Sequence, residues 1–198
     1  MRFLLCILIM AVSGISALAD DDYYPLHVGD QWTMTVEHVS RTGKVTHGIA
    51  RQTIRAAAVR MGKVYFRCRF VDASNNQDNI VLVRKTEKGV YTMYEEPPNS
   101  EECIELSYPL KPGLTWHRTF HLGAVTITYK VVVVGLERVK VPPRIYKGCY
   151  HIRSISSATG AKPVDSWFAP GIGFVKSVAF YEDGTKRIVT LKKFKPGN

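Results

Sequence analysis

The chain has 198 residues, 45% of them hydrophobic and 22% charged, with a formal net charge of +10 at pH 7. The length suits one single-core domain or two closely joined halves. The basic balance favours anionic partners, such as lipid headgroups or acidic glycans.

Residues 1–19 read as a signal peptide rather than as fold. Arg2 is a positive n-region, Phe3 to Val12 an apolar run, and Ala17-Leu18-Ala19 a small-x-small cleavage site. The apolar run falls short of the roughly 20 residues a spanning helix needs. Cys6 lies inside that run, too early to be a lipid-modified Cys at a mature N-terminus. No second apolar run of spanning length follows, so no transmembrane segment is expected after cleavage. The expected mature chain starts at Asp20, has 179 residues and a charge of +9, and works outside the cytoplasm, in the periplasm or beyond. Export makes nucleic acid the weakest partner class. Asp20-Asp21-Asp22 reads as a solvated new terminus.

The chain then says one phrase twice. Tyr24-Pro25-Leu26-His27-Val28-Gly29-Asp30-Gln31-Trp32-Thr33 returns 84 positions later as Tyr108-Pro109-Leu110-Lys111-Pro112-Gly113-Leu114-Thr115-Trp116-His117, with Thr35 answered by Thr119. Proline removes a donor and fixes φ, glycine permits a bend, and each Trp opens an alternating run. Tyr65 and Cys68 are answered by Tyr146 and Cys149, and Gly89 by Gly173, at offsets of 81 to 84. This pattern predicts an internal duplication, residues 20–107 and 108–198, joined in one compact domain.

In chain order, Trp32, Met34, Val36 and His38 share one face of a first strand. Arg41-Thr42-Gly43-Lys44 reads as a turn. Val45 to Met61 is ambiguous, because Ala56-Ala57-Ala58 favours a helix, but its place between two hairpin turns makes it a long strand. Val64 to Val71 alternates cleanly, Asp72 to Asn79 is a polar loop, and Ile80 to Arg84 pairs with Val90 to Tyr94. A loop with Pro97-Pro98 leads to Ile104 to Tyr108. The second half repeats this: Trp116 to Phe120, Val125 to Val134, Tyr146 to Ile155, Pro163 to Phe168, Phe174 to Tyr181 and Ile188 to Phe194, with an Asp183-Gly184 hairpin signal. The predicted fold is all-β and antiparallel, with roughly six strands per half. Two curved sheets would pack as a sandwich or wrap into an open barrel.

Chemistry-bearing motifs are absent from the sequence. His117 and His121 share one strand face but stand about 13 Å apart, too far for one ion. His27, His38, His47 and His151 are scattered singly and read as ordinary surface or core histidines. Asp72, Ser74, Asn76 and Asp78 resemble calcium-loop positions, yet Gln77 replaces the required Gly and Val83 the bidentate Glu. Glu95-Glu96 and Glu101-Glu102 read as solvent-facing. No Gly-x-Ser-x-Gly elbow occurs, and Gly171-Ile172-Gly173 precedes a strand rather than a helix. No cofactor, metal or catalytic residue is expected. The run through Lys186-Arg187 and Lys192-Lys193-Phe194-Lys195 reads as a solvated strand face and tail.

Cys68, Cys103 and Cys149 survive processing. One disulfide with a leftover thiol, or three buried reduced thiols, both fit; pairing is not legible. The aromatics cluster at strand ends. They read either as core or as the lining of an apolar cleft, for which Trp32, Trp116, Phe120, Trp167 and Phe168 are the candidate ligand-binding residues.

Tyr24-Pro25-Leu26-x-x-Gly29-x-x-Trp32 near the mature start and Phe168-Ala169-Pro170-Gly171-Ile172-Gly173-Phe174-Val175-Lys176 near the end resemble a family of uncharacterised exported bacterial β-proteins. Where that family has a Val-Pro-Ala-Gly entry to a Cys-bearing strand, this chain has Val141-Pro142-Pro143-Arg144 before Cys149. In outline such proteins are similar to periplasmic lipoprotein-carrier folds, in which a curved antiparallel sheet holds lipid chains; the covering helices of those folds have no counterpart in this sequence. The resemblance implies a non-enzymatic, exported, envelope-associated β-domain, and a ligand, where there is one, that is lipid-like or anionic. The alternative is a structural or protein-interaction domain whose aromatics are all core, and third comes an unrecognised hydrolase.

Overall fold

A computed structural model describes residues 22–96, 100–122, 125–142, 144–158 and 160–197. The expected signal peptide, its Asp20 cleavage point and Pro97-Pro98 lie outside these residues. Among them there is no helix, and none therefore long and apolar enough to cross a membrane.

Twelve strands follow one another: β1 (Gln31–Val39), β2 (Val45–Arg60), β3 (Lys63–Asp72), β4 (Gln77–Thr86), β5 (Gly89–Tyr94), β6 (Cys103–Ser107), β7 (Thr115–Leu122), β8 (Val125–Val141), β9 (Arg144–Ser156), β10 (Val164–Ala169), β11 (Gly173–Phe180) and β12 (Lys186–Lys195). Each pairs antiparallel with its sequence neighbour, except β6 and β7. The first strand instead pairs with the last, Trp32 opposite Phe194 and Val36 opposite Val189. All twelve thus belong to a single sheet, in the order β6-β5-β4-β3-β2-β1-β12-β11-β10-β9-β8-β7. It curls almost into a barrel, with β6 and β7 side by side at an unladdered seam. The open-barrel form of the expectation is the one observed, and the division into two packed sheets is not. The reason is the β1–β12 ladder, which leaves no break between the two six-strand runs.

Period-two alternation sends one side chain in two to the interior. Trp32, Met34, Val36, Ala50, Ile54, Cys68, Val83, Val90, Trp116, Val131, Val133, Ile152, Phe168 and Leu191 meet there in one buried cluster. Each large aliphatic side chain so buried contributes about 1.5–3 kcal/mol. In the ambiguous stretch of β2, Ala57 and Ala58 pair with Phe66 and Tyr65 of β3. The partner strand overrides the helix preference of three alanines.

The two copies of the repeated phrase enter their strands by the same hydrogen bonds. Gly29 N donates to Ile54 O and Gly113 N to Val133 O, both at 2.8 Å, while Ile54 N and Val133 N return bonds to Asp30 O and Leu114 O. Gly29 has φ 96° and Gly113 φ 84°, left-handed values at which a side chain would be strained. Asp30 is completely buried, where its carboxylate accepts from His27 N at 2.8 Å and from Gly197 N at 2.7 Å.

On the outward face, Tyr65, Leu82 and Met93 form a second, smaller buried cluster. Glu102 seals it. It accepts from both Nε and Nη2 of Arg84 at 2.7 Å, from the Tyr65 hydroxyl at 2.7 Å and from Lys63 at 3.3 Å. Glu95 accepts from Arg67 Nε at 2.6 Å. Glu95 and Glu102 are therefore not the solvent-facing pair that their sequence reads as, because the arginines of β3 and β4 draw them onto the sheet. The polar loop after β3 is likewise anchored. Asp72, with no exposed surface, accepts from Ser74 N and Oγ and from Arg187 Nη2 at 2.7 Å, which ties β3 to β12.

Burial opposes ionisation of Glu102, but the hydrogen bonds from Arg84, Tyr65 and Lys63 outweigh it and hold its carboxyl at about 2, against an ordinary 4.5. A carboxyl whose pKa is lowered by folding contributes fully above its unfolded pKa and loses that contribution as pH falls through the folded one. Stability should therefore decline between about pH 4.5 and 2. In urea titrations, Glu102→Gln should lower stability by about 1–3 kcal/mol at pH 7 and less at pH 3. An equal loss at both values would show that the charge of Glu102 carries none of it.

Candidate functional site

The interior is not filled throughout. A cavity of about 270 Å³ lies beneath the seam, walled by Gln52, Cys68, Phe70, Val81, Val83, Thr92 and Cys103 from β2 to β6 and by Phe120 from β7, with Tyr24 and Glu105 at one side. The strand alternation that builds the core also makes these walls mostly apolar, since Phe70, Cys68, Val83 and Thr92 occupy successive inward positions. Tyr24, Gln52 and Glu105 also border a second space of about 130 Å³, whose far wall is Trp32, Phe168 and Phe174. Burial pushes the Tyr24 hydroxyl well above its ordinary range, so it stays neutral between the two spaces. A third cavity, about 330 Å³, lies on the other side of Phe120 and Tyr94, walled by Arg118, Ile127, Tyr129, Ser154 and Val164.

Arg118, like Glu105, is a charged residue on this inner surface that sequence reading passed over. It alternates inward with Trp116 and Phe120 on β7. Its Nη1 donates to Glu105 Oε2 at 2.6 Å, across the seam from β7 to β6. Its guanidinium carbon lies 5.3 Å from the Phe120 ring centre and 5.5 Å from that of Tyr129, within the range of cation–π attraction. Burial works against the charge, and Glu105 outweighs it, so the group remains a cation. Its Nε is buried without a hydrogen-bond partner. The sequence signal was present: an arginine between two aromatics in Trp116-x-Arg118-x-Phe120 breaks an apolar alternation.

The candidate aromatics do not share one site. Trp32 and Phe168 line the second space, and the Trp32 indole donates to Ile172 O at 2.7 Å. Phe120 separates the first cavity from the third. Trp116 is buried in the core, its indole nitrogen without a partner, and borders none of these three cavities. Trp167 faces outward beside His151 and Lys176, because strand alternation puts it on the face opposite the inward Phe168.

Around Trp167 the outer face carries its own polar cluster. His151 is buried, with Nδ1 2.8 Å from Glu137 and Nε2 2.7 Å from Asp165. Its ring stacks on Trp167 at 4.6 Å, and the Trp167 indole donates to Glu137 at 2.8 Å. Arg153 grips Asp165 through Nε and Nη2, and Lys176 covers the Trp167 ring at 5.3 Å. Burial disfavours the charges on Glu137 and Asp165, and their hydrogen bonds more than offset it, leaving both below the usual carboxylate range. Both nitrogens of His151 are thus engaged by carboxylates. Among the described residues no group of three His, Cys, Asp or Glu side chains is placed to hold a metal ion.

No family model matches the chain, and no curated protein matches it. Solved structures do. A Bacteroides fragilis protein named as exported and of YmcC-like fold shares 15% identity at a TM-score of 0.57, over 87% of this chain and 98% of its own. A Parabacteroides distasonis protein named as a lipoprotein aligns over the same shares, at 9% identity and a TM-score of 0.49. At such identity the first likeness shows a common fold and nothing about activity.

Cys68, Cys103 and Cys149 are all free and buried. Burial pushes the Cys68 thiol up to about 12 and Cys149 to about 11, and raises Cys103, whose Sγ lies 3.3 Å from Thr92 Oγ1. In the folded protein from Asp20 onward, all three should react with a disulfide reagent at least about 100-fold more slowly than in urea, as expected of buried, protonated thiols. Non-reducing mass measurement should show no bridge. One fast-reacting thiol at neutral pH would contradict this packing.

Proposed function

We propose that this is an exported, envelope-associated, non-enzymatic barrel that holds a single apolar chain or ring in its interior. The observation that carries the reading is the cavity beneath the seam, with Phe70, Val81, Val83 and Phe120 among its walls. Ligand pockets typically run from about 300 to 1,000 Å³. At about 270 Å³ this one suits one acyl chain rather than a multi-chain lipid anchor. Export is supported by the charged, apolar and small-residue segments of residues 1–19 and by the fold shared with a protein named as exported. We read the two six-strand runs as copies of one unit, supported by the matched hydrogen bonds at Gly29 and Gly113.

The test is native mass spectrometry of the protein secreted from its own signal and purified without detergent. The expected spectrum shows added mass of acyl size that organic extraction removes. Val83→Trp, which fills the cavity from its wall, should reduce that adduct at least about tenfold while the fold persists, at an overpacking cost of about 1–3 kcal/mol or less. A bare protein mass, together with failure to take up added alkyl chains, would leave a structural or protein-interaction domain in place of this reading.

A further inference from the structure

We infer that the occupant is a carboxylate on a single apolar chain, its head held by Arg118 in the cavity with Tyr129 and Ser154 and its tail laid past Phe120 into the cavity beneath the seam. This rests on the reading that the interior holds a ligand.

A guanidinium on the inward face of an apolar sheet is expensive unless its charge and its N–H groups are answered. Glu105 answers the charge, through Nη1. Nε has no hydrogen-bond partner among the described residues. Three other arginines are used differently, whereas Arg187, with Nη2 on Asp72 and a buried Nε without a partner, resembles Arg118. Arg69 on Asp78, Arg84 on Glu102 and Arg153 on Asp165 each bring Nε and Nη2 together onto one carboxylate. That two-pronged grip matches the spacing of carboxylate oxygens. Arg118 meets Glu105 through Nη1 alone, so its grip on that carboxylate is single-pronged.

The surroundings suit a carboxylate better than a neutral head. The Phe120 and Tyr129 rings hold the guanidinium from moving with its ligand, and Ser154 and Tyr129 add hydroxyl groups to the same wall. The tail has a path, because Tyr94 and Phe120 border both this cavity and the one beneath the seam. The Phe120 and Tyr129 rings meet edge to face at 5.9 Å, so a rotation of Phe120 changes the width of that path.

Calorimetric titration of the delipidated secreted protein with decanoate, decanol and decyl phosphate separates the outcomes. Decanoate should bind at least about tenfold more tightly than decanol, as a charge-assisted contact requires. Arg118→Met should bring that ratio to about one. Glu105→Gln, which removes the competing carboxylate, should raise it, and it tests the idea even where Arg118→Met fails to fold. Equal binding of acid and alcohol, or a ratio that survives Arg118→Met, would overturn the anionic head and leave the apolar cavity standing. Tighter binding of decyl phosphate than of decanoate would overturn the carboxylate. Binding of none of the three would remove the ligand reading itself.

Discussion

The ladder between β1 and β12 is the constraint on which the rest of this molecule depends. It runs from Gln31 opposite Lys195 to Val39 opposite Lys186. Without it, β1–β6 and β7–β12 would be two separate meanders, each with one apolar face open to water. With it, both apolar faces turn inward around one core, and Trp32 packs on Phe194 at 5.0 Å. The chain reinforces this junction at both ends. Asp30 binds Gly197 N beside the start of β1, and Arg187 of β12 reaches Asp72 at the end of β3.

Joining the first strand to the last puts the one unpaired boundary on the opposite side, between β6 and β7. There a side-chain ion pair, Glu105 with Arg118, stands where a backbone ladder would be. Side chains that bridge a seam leave more space than strands 4.7–4.9 Å apart, and the cavity lies beneath this boundary. The location of the cavity is thus a consequence of how the sheet closes.

The buried polar groups of this protein divide into the completed and the incomplete. Asp30, Asp72 and Glu102 each collect two or more donors and help to hold the sheet together. His151 is enclosed in the same way by Glu137 and Asp165. Arg118 and Arg187 each have one firm carboxylate partner and a buried Nε that has none, and Tyr108 and Trp116 each bury a polar atom without a partner. Completed groups stabilise the fold, and among the incomplete ones Arg118 lies on a cavity wall. Trp167 and Phe168, adjacent on β10, take opposite faces by ordinary strand alternation, so the two rings cannot line one site. Glu102 looked like one more acidic loop residue, because its partners Arg84 and Tyr65 are 18 and 37 positions away.

By itself, the sequence determined the strands, their alternating faces and the six-strand length of each run, because period two and turn residues are local properties of the backbone. It also marked the matching entries at Gly29 and Gly113, where a left-handed backbone favours glycine. Only the tertiary structure decided that there is one sheet and not two. Alternation says which face a side chain takes but not which distant strand will lie beside it. The seam, the cavity and the meeting of Arg118 with Glu105 all follow from that choice of partner.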